Sequence, residues 1–238
     1  MKAALRALLL VLAAAVLLQL YFVLRIALMV VVDPQSTAYQ RSEAWQLMNS
    51  EQGLRWSQQW LPYEHIAPGL KRAVIASEDA GFTEHSGVEW DAIRRAYVRN
   101  QKAEERAAKA DDGKPVKIFG GSTITQQLAK NLLLSGERQE LRKGQELMLT
   151  LLLEALLSKQ RILEIYLNNV EWGEGIFGAE AAARHYFRKS AADLNNAEAA
   201  RLAVMLPAPK RFEKLPQSKY LTQRSRTIVR YMGDVQIP

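Results

Sequence analysis

Three short stretches of this chain carry side chains that could move a proton or hold an anion. Glu78 and Asp79 are adjacent carboxylates closing an apolar turn, and Phe82, His85 and Gly87 come after them. Partial burial there raises a carboxyl pKa and suits it to general acid or base work, although such a pair is equally at home as solvated surface charge. Further on, Gln127 and Lys130 are three residues apart, on a helical face turned away from Ile124, Leu128 and Leu132. They lie just past a helix N-terminus, whose free N–H groups favour anions. Arg142, Lys143 and Glu146 fall on neighbouring turns, and the four-residue step from Arg142 to Glu146 also fits an ordinary surface ion pair. With three histidines, no HExxH spacing and no cysteine, the sequence offers neither a strong metal site nor thiol chemistry.

Helices must position these groups. Leu70 to Ala76 has the pattern of a short helix that delivers Glu78. Gly120 and Gly121 open a turn, Thr123 and Gln126 have capping-box spacing, and the apolar row then repeats every four residues. Further helical patterns run over Trp90 to Arg99, Lys159 to Asn169, Ala179 to Phe187, Asn196 to Leu206 and Lys219 to Met232. Leu147 to Leu157 is apolar enough to cross a domain interior or lie against lipid. Asn100 to Lys117 is almost wholly charged or small and reads as a mobile excursion or solvated linker. Gly173, Gly175 and Gly178 make a glycine-rich loop with no strand predicted before it, a weak phosphate-loop signal. Strand signals are sparse, so the expected class is mainly α.

The 238 residues allow one large domain or two small ones. Residues 3–32 are charged only at Arg6 and Arg25, long enough for a membrane-spanning helix. Lys2 and Arg6 before it place the N-terminal tail in the cytoplasm and the bulk of the chain outside. From Asp33 to Pro68 the chain is polar with Trp45, Trp56 and Trp60, like a tether packed partly on a domain or the headgroup layer. The expected organisation is thus 1–32 tail and anchor, 33–68 juxtamembrane linker and 69–238 the folded region that carries the candidate residues. A net charge of +7 favours phosphates or an anionic membrane surface, and without a recognition motif it does not point to nucleic acid. The absence of cysteine fits an oxidising compartment.

Taken together, the motifs resemble the peptidoglycan glycosyltransferases, the transglycosylase family that polymerises lipid II. EDxxFxxHxG stands at Glu78 to Gly87, GGSTITQQLxKN at Gly120 to Asn131, RKxxE at Arg142 to Glu146, and KxxILExYLNxxxxGxGxxGxxxAAxxYF at Lys159 to Phe187. They come in the family's order and span roughly Leu70 to Pro209. The resemblance implies a lysozyme-like helical domain of two lobes behind the anchor, in a bacterial inner membrane with the catalytic domain periplasmic. It implies that Glu78 is the general base and Glu146 a second carboxylate on the donor side. Lys130, Arg142, Ser122 and Gln127 match positions that hold the pyrophosphate or neighbouring sugar, and Arg95 matches another basic position of the groove. The implied partners are lipid II, the growing lipid-linked glycan strand and membrane lipid, beside other proteins of wall synthesis or division. The implied chemistry requires no cofactor, with a divalent cation as an optional aid, and moenomycin is expected to occupy the same groove.

Two departures stand out. Where the family has Asp two residues after the motif glycine, this chain has Glu89, with Asp91 next, so no catalytic role is assigned to Glu89. No Ser-x-x-Lys or Lys-Thr-Gly occurs, which leaves out a penicillin-binding transpeptidase domain and resembles the monofunctional branch. A lytic muramidase or transglycosylase is the rival enzyme, but it has no pyrophosphate to be held by Lys130 and Arg142. A non-catalytic wall scaffold would leave the intact acidic and basic positions without a use.

Overall fold

The computed structural model describes residues 2–50, 53–110, 120–134 and 140–238, except for the side chains of 107–110 and 140–141. Helix α1, Lys2–Leu28, is long and apolar enough to cross a membrane, and only 6% of its most apolar window is buried. Its last turns behave differently: Phe22 and Ile26, with Met29 beyond, enter the core of the domain. Gln19 and Gln145 exchange side-chain amide hydrogen bonds at 3.3–3.4 Å, so the helix is tied to its neighbour before it leaves the protein.

The described residues of segment 33–68 are built into the fold. Thr37 caps helix α2, Ala38–Met48, through a reciprocal capping box with Gln40. Strand β1, Ser57–Gln58, then adds a parallel edge to a small sheet. Asn168 clamps the chain after it, accepting from the Leu61 N–H at 2.8 Å and donating to the Leu61 carbonyl at 2.9 Å. Glu164 accepts the Tyr63 N–H at 3.0 Å, and Arg161 reaches Asp33 and the Met29 carbonyl. An acidic and an amide position of the fourth motif therefore hold the approach to the domain.

Helix α3, Pro68–Glu78, starts with proline at its first turn and buries Leu70, Ala73, Val74 and Ile75. Helix α4 runs Trp90–Ala110, so the expected excursion is corrected over 100–110. The Ala, Glu, Lys, Arg and Gln of that stretch are strong helix formers, and an exposed helix need not bury much. Residues 111–119, which include the rest of that stretch, lie outside the described residues. Helix α5, Ile124–Leu133, has the expected capping box between Thr123 and Gln126 and buries Ile124, Leu128 and Leu132. Gly121, just before it, lies so close to α4 that a Cβ would stand 3.2 Å from the Ala92 carbonyl oxygen and the Ile93 Cα.

Helix α6, Glu140–Leu156, buries Leu149, Thr150 and Leu153 and exposes Leu147, Met148 and Leu151, so it serves the interior with one face only. After α7, Lys159–Asn169, come strand β2, Glu171–Gly173, and strand β3, Ile176–Phe177. The sheet order is β1-β3-β2, with β2 antiparallel to β3. The glycine-rich loop of the sequence is thus largely a tight hairpin. Helices α8, Ala179–Phe187, α9, Asn196–Met205, the short α10, Pro209–Glu213, and α11, Lys219–Tyr231, complete the chain. Helix α9 packs between α3 and α11, while α5 packs on α6 and α7. The architecture is mainly helical, as the sequence indicates.

Candidate active site

Helix α3 ends at Glu78, and the residue after it fixes that carboxyl in place. Asp79 is buried; its Oδ2 accepts the Ile124 N–H at 2.9 Å, and its Oδ1 meets His85 Nε2 at 2.8 Å. A carboxylate on the first N–H of a helix satisfies an orphan donor and faces the positive end of the helix dipole. Asp79 therefore locks the end of α3 to the start of α5. Thr123 Oγ1 donates to the Gly87 carbonyl at 2.6 Å, adding a second tie. Gly87 has φ +86°, and a Cβ there would stand 2.8 Å from side-chain carbons of Glu154 and Thr150. Phe82 is fully buried under Lys159, whose Nζ lies 4.6 Å from the ring centre.

A chain of hydrogen bonds across three helices ends at the carboxyl itself. Tyr166 Oη donates to Gln127 Oε1 at 2.9 Å, and Gln127 Nε2 donates to Glu78 Oε2 at 3.1 Å. Burial beside the Glu78 and Asp79 carboxylates holds the Tyr166 hydroxyl far above its ordinary pKa, so it remains a donor and fixes the orientation of the amide. Ser77 Oγ reaches Glu78 Oε1 at 3.3 Å. Burial pushes the Glu78 carboxyl pKa up, while the hydrogen bonds from Gln127 and Ser77 and the charge of Arg224 pull it back. A carboxyl so held is suited to accept a proton near neutral pH.

Gln127 also lines a cleft of about 420 Å³, together with Lys130, Arg142, Tyr39, Glu171 and Pro209. The cleft unites Gln127, Lys130 and Arg142 from the sequence-derived set and connects through Gln127 to Glu78. Among the described residues Arg142 Nε is buried without a hydrogen-bond partner, which leaves guanidinium capacity for an anion. The surface ion pair read from Arg142 to Glu146 is replaced: Lys143 Nζ, one turn from Glu146, takes its Oε1 at 2.5 Å. Glu146 is only 4% exposed and stands off the cleft lining, with its backbone carbonyl accepting from Thr150 Oγ1. Ser122 is exposed immediately before the α5 cap. Arg95 lies on α4, paired with Glu89 at 2.5 Å and away from the cleft lining. Among the described residues, no group of three or more His, Asp or Glu side chains is placed to hold a metal ion.

Sequence reasoning passed over two groups here. Tyr166 sits inside the fourth motif and nothing in its spacing points to Gln127. Glu171 gives a local signal, a lone carboxylate between Val170 and Trp172 in a stretch that is otherwise buried. Its Oε2 accepts from Tyr39 Oη at 2.7 Å, Lys210 Nζ lies 3.5 Å from Oε1, and Lys210 also pairs with Glu43. Burial pushes the Glu171 carboxyl up to about 7 against the pull of Tyr39 and Lys210.

A family model described as Transglycosylase matches residues 46–233. The chain is 56% identical over 208 residues to a protein of Bordetella avium (strain 197N) named biosynthetic peptidoglycan transglycosylase, covering 87% of this chain and 83% of that one. It is 50% identical over 228 residues to the protein of that name from Bordetella pertussis (strain Tohama I), covering 96% and 91%. A third, from Burkholderia thailandensis (strain E264), is 51% identical over 220 residues and covers 92% and 82%.

Proposed function

The chain belongs to the transglycosylase family as a glycosyltransferase of peptidoglycan synthesis, and from that premise we propose that it polymerises lipid II, with Glu78 as general base. The observation that carries this reading is the Tyr166–Gln127–Glu78 relay at the border of a cleft lined by Lys130 and Arg142. The 4-hydroxyl of the acceptor sugar attacks the anomeric carbon of the lipid-linked donor, and its proton passes to Glu78. The bond from that carbon to undecaprenyl pyrophosphate breaks, and the leaving group keeps the electron pair. One displacement inverts an α-linked donor to a β-1,4 linkage, so no covalent glycosyl-enzyme is needed.

Negative charge develops on the pyrophosphate as the bond breaks. Lys130 and Arg142 meet that charge without donating a proton, which is the electrostatic stabilisation this leaving group requires. The chemistry calls for no resident cofactor, and a divalent cation can assist at the same phosphates. Glu146, held by Lys143 behind the cleft lining, orients or stabilises the donor side, and Ser122 and Arg95, which stand outside that lining, offer polar contacts to the glycan beyond it. The anchor keeps the enzyme beside a lipid-linked substrate in the inner membrane, with its N-terminus cytoplasmic and its catalytic domain periplasmic.

The test is incubation of the detergent-solubilised protein with lipid II, beside Glu78→Gln and a parallel digest of finished peptidoglycan. Polymer from the wild type, a loss of at least about 10²-fold in Glu78→Gln and intact finished wall are expected. Full activity in Glu78→Gln removes Glu78 from the mechanism. Soluble wall fragments without polymer move the enzyme to the lytic class.

A further inference from the structure

A second cleft, of about 480 Å³, is lined by Arg55, Trp56, Glu174, His185, Glu213 and Lys214. It has no lining residue in common with the first, but α2 and α10 border both. Tyr39, Glu43 and Leu47 are one turn apart on the same face of α2; Tyr39 borders the reaction cleft and Leu47 the second. Along α10, Pro209 borders the first and Glu213 the second, while the Glu43–Lys210 pair stands between them.

An aromatic row joins the two as well. Buried Phe177 receives Tyr39 edge-on at 6.3 Å between ring centres and Trp56 stacked at 4.6 Å. Trp56 remains 37% exposed. The charged side chains around it are balanced, Arg55 and Lys214 against Glu174 and Glu213, with His185 3.7 Å from Glu213. The Glu174 N–H donates to Glu213 Oε2 at 2.9 Å, which fixes that carboxylate. Such a lining does not select a polyanion. It sets donors and acceptors around an aromatic ring, which suits a polyhydroxylated ligand of low charge.

We propose that this second cleft is a carbohydrate subsite that holds a glycan strand of alternating N-acetylated sugars, with Trp56 as its stacking platform. The ligand's identity rests on the glycan-polymerising reading above. The strand reaches the cleft along the wall formed by α2 and α10, passing the Glu43–Lys210 pair. Glu174, His185 and Arg55 supply hydrogen bonds to hydroxyl and N-acetyl groups.

Two arms test this and separate the sources of the strand. In the first, soluble, uncrosslinked glycan strands stripped of their peptides are titrated calorimetrically into the solubilised full-length protein. Binding that is about tenfold weaker in Trp56→Ala, and largely retained in Trp56→Phe, is expected from loss and retention of a stacked ring. In the second, lipid II is polymerised and strand lengths are compared on gels, with Glu174→Ala as a further variant that leaves the Trp56–Phe177 stack in place. Shorter strands in Trp56→Ala and Glu174→Ala without free-strand binding identify the growing strand as occupant, and free-strand binding with unchanged lengths identifies preformed glycan. Neither effect in any variant overturns the subsite. Failure of the wild type to polymerise defeats the polymerase reading alone, because the strand titration still reports on the cleft.

Discussion

Gln127 Nε2 donates to Glu78 Oε2 at 3.1 Å, so a residue of α5 sets the direction of the carboxyl that ends α3. Because Tyr166 donates to the other end of the same amide, the amide cannot flip without losing both bonds. The carboxyl is thereby presented as an acceptor, and its proton affinity depends on a neighbour rather than on burial alone.

This bond pulls the Glu78 pKa down against burial. Removing it in Gln127→Ala is expected to raise that pKa further. A general base works only when deprotonated, so the acid limb of kcat/KM, already above the about 4.3 of an ordinary glutamate, moves to higher pH. A pH–rate profile of lipid II polymerisation checks this. An unchanged limb would mean that Glu78 is not the titrating base.

Asp79 joins two elements through opposite oxygens, one on the Ile124 N–H and one on His85. Asp79→Ala leaves a buried helix N–H unsatisfied, with an expected loss of about 1–3 kcal/mol in stability. Asp79→Asn, which keeps one acceptor, is expected to lose less. Thermal unfolding of the solubilised protein ranks the two, and equal losses would show that His85, not the helix N-terminus, is the partner that matters.

Glu171 gives a pH dependence of stability with a definite sign. Its folded pKa, raised to about 7, lies above the unfolded value, so folding favours the protonated form. That contribution is full below the unfolded pKa and fades as pH rises through about 7. Glu171→Gln does not titrate. Its Tm relative to wild type is therefore expected to rise between about pH 5 and pH 8. A flat difference across that range would show that Lys210 already holds Glu171 ionised.

The long apolar N-terminal helix, the helical class and the α5 capping box were legible in the sequence because each depends on local chemistry. An uninterrupted apolar run, a 3.6-residue period and a Thr and Gln three apart act over a turn or two of chain. The motif residues were legible as types, and their resemblance named a family that the family model and close relatives then showed. What the residues do to one another was not legible. The Gln127 contact to Glu78 spans 49 positions, and the Asp79 contact to Ile124 spans 45. The replacement of Arg142 by Lys143 as partner of Glu146 turned on which side of α6 faces the interior. Likewise, segment 33–68 reads as a tether packed partly on a domain or the headgroup layer, and only the fold shows that Asn168, Glu164 and Lys210 are the partners that hold its described residues. Sequence alone determined the elements and the kinds of groups they carry. Only the tertiary structure decided which polar groups are buried together, because hydrogen bonds and desolvation depend on distances that packing, not chain order, sets.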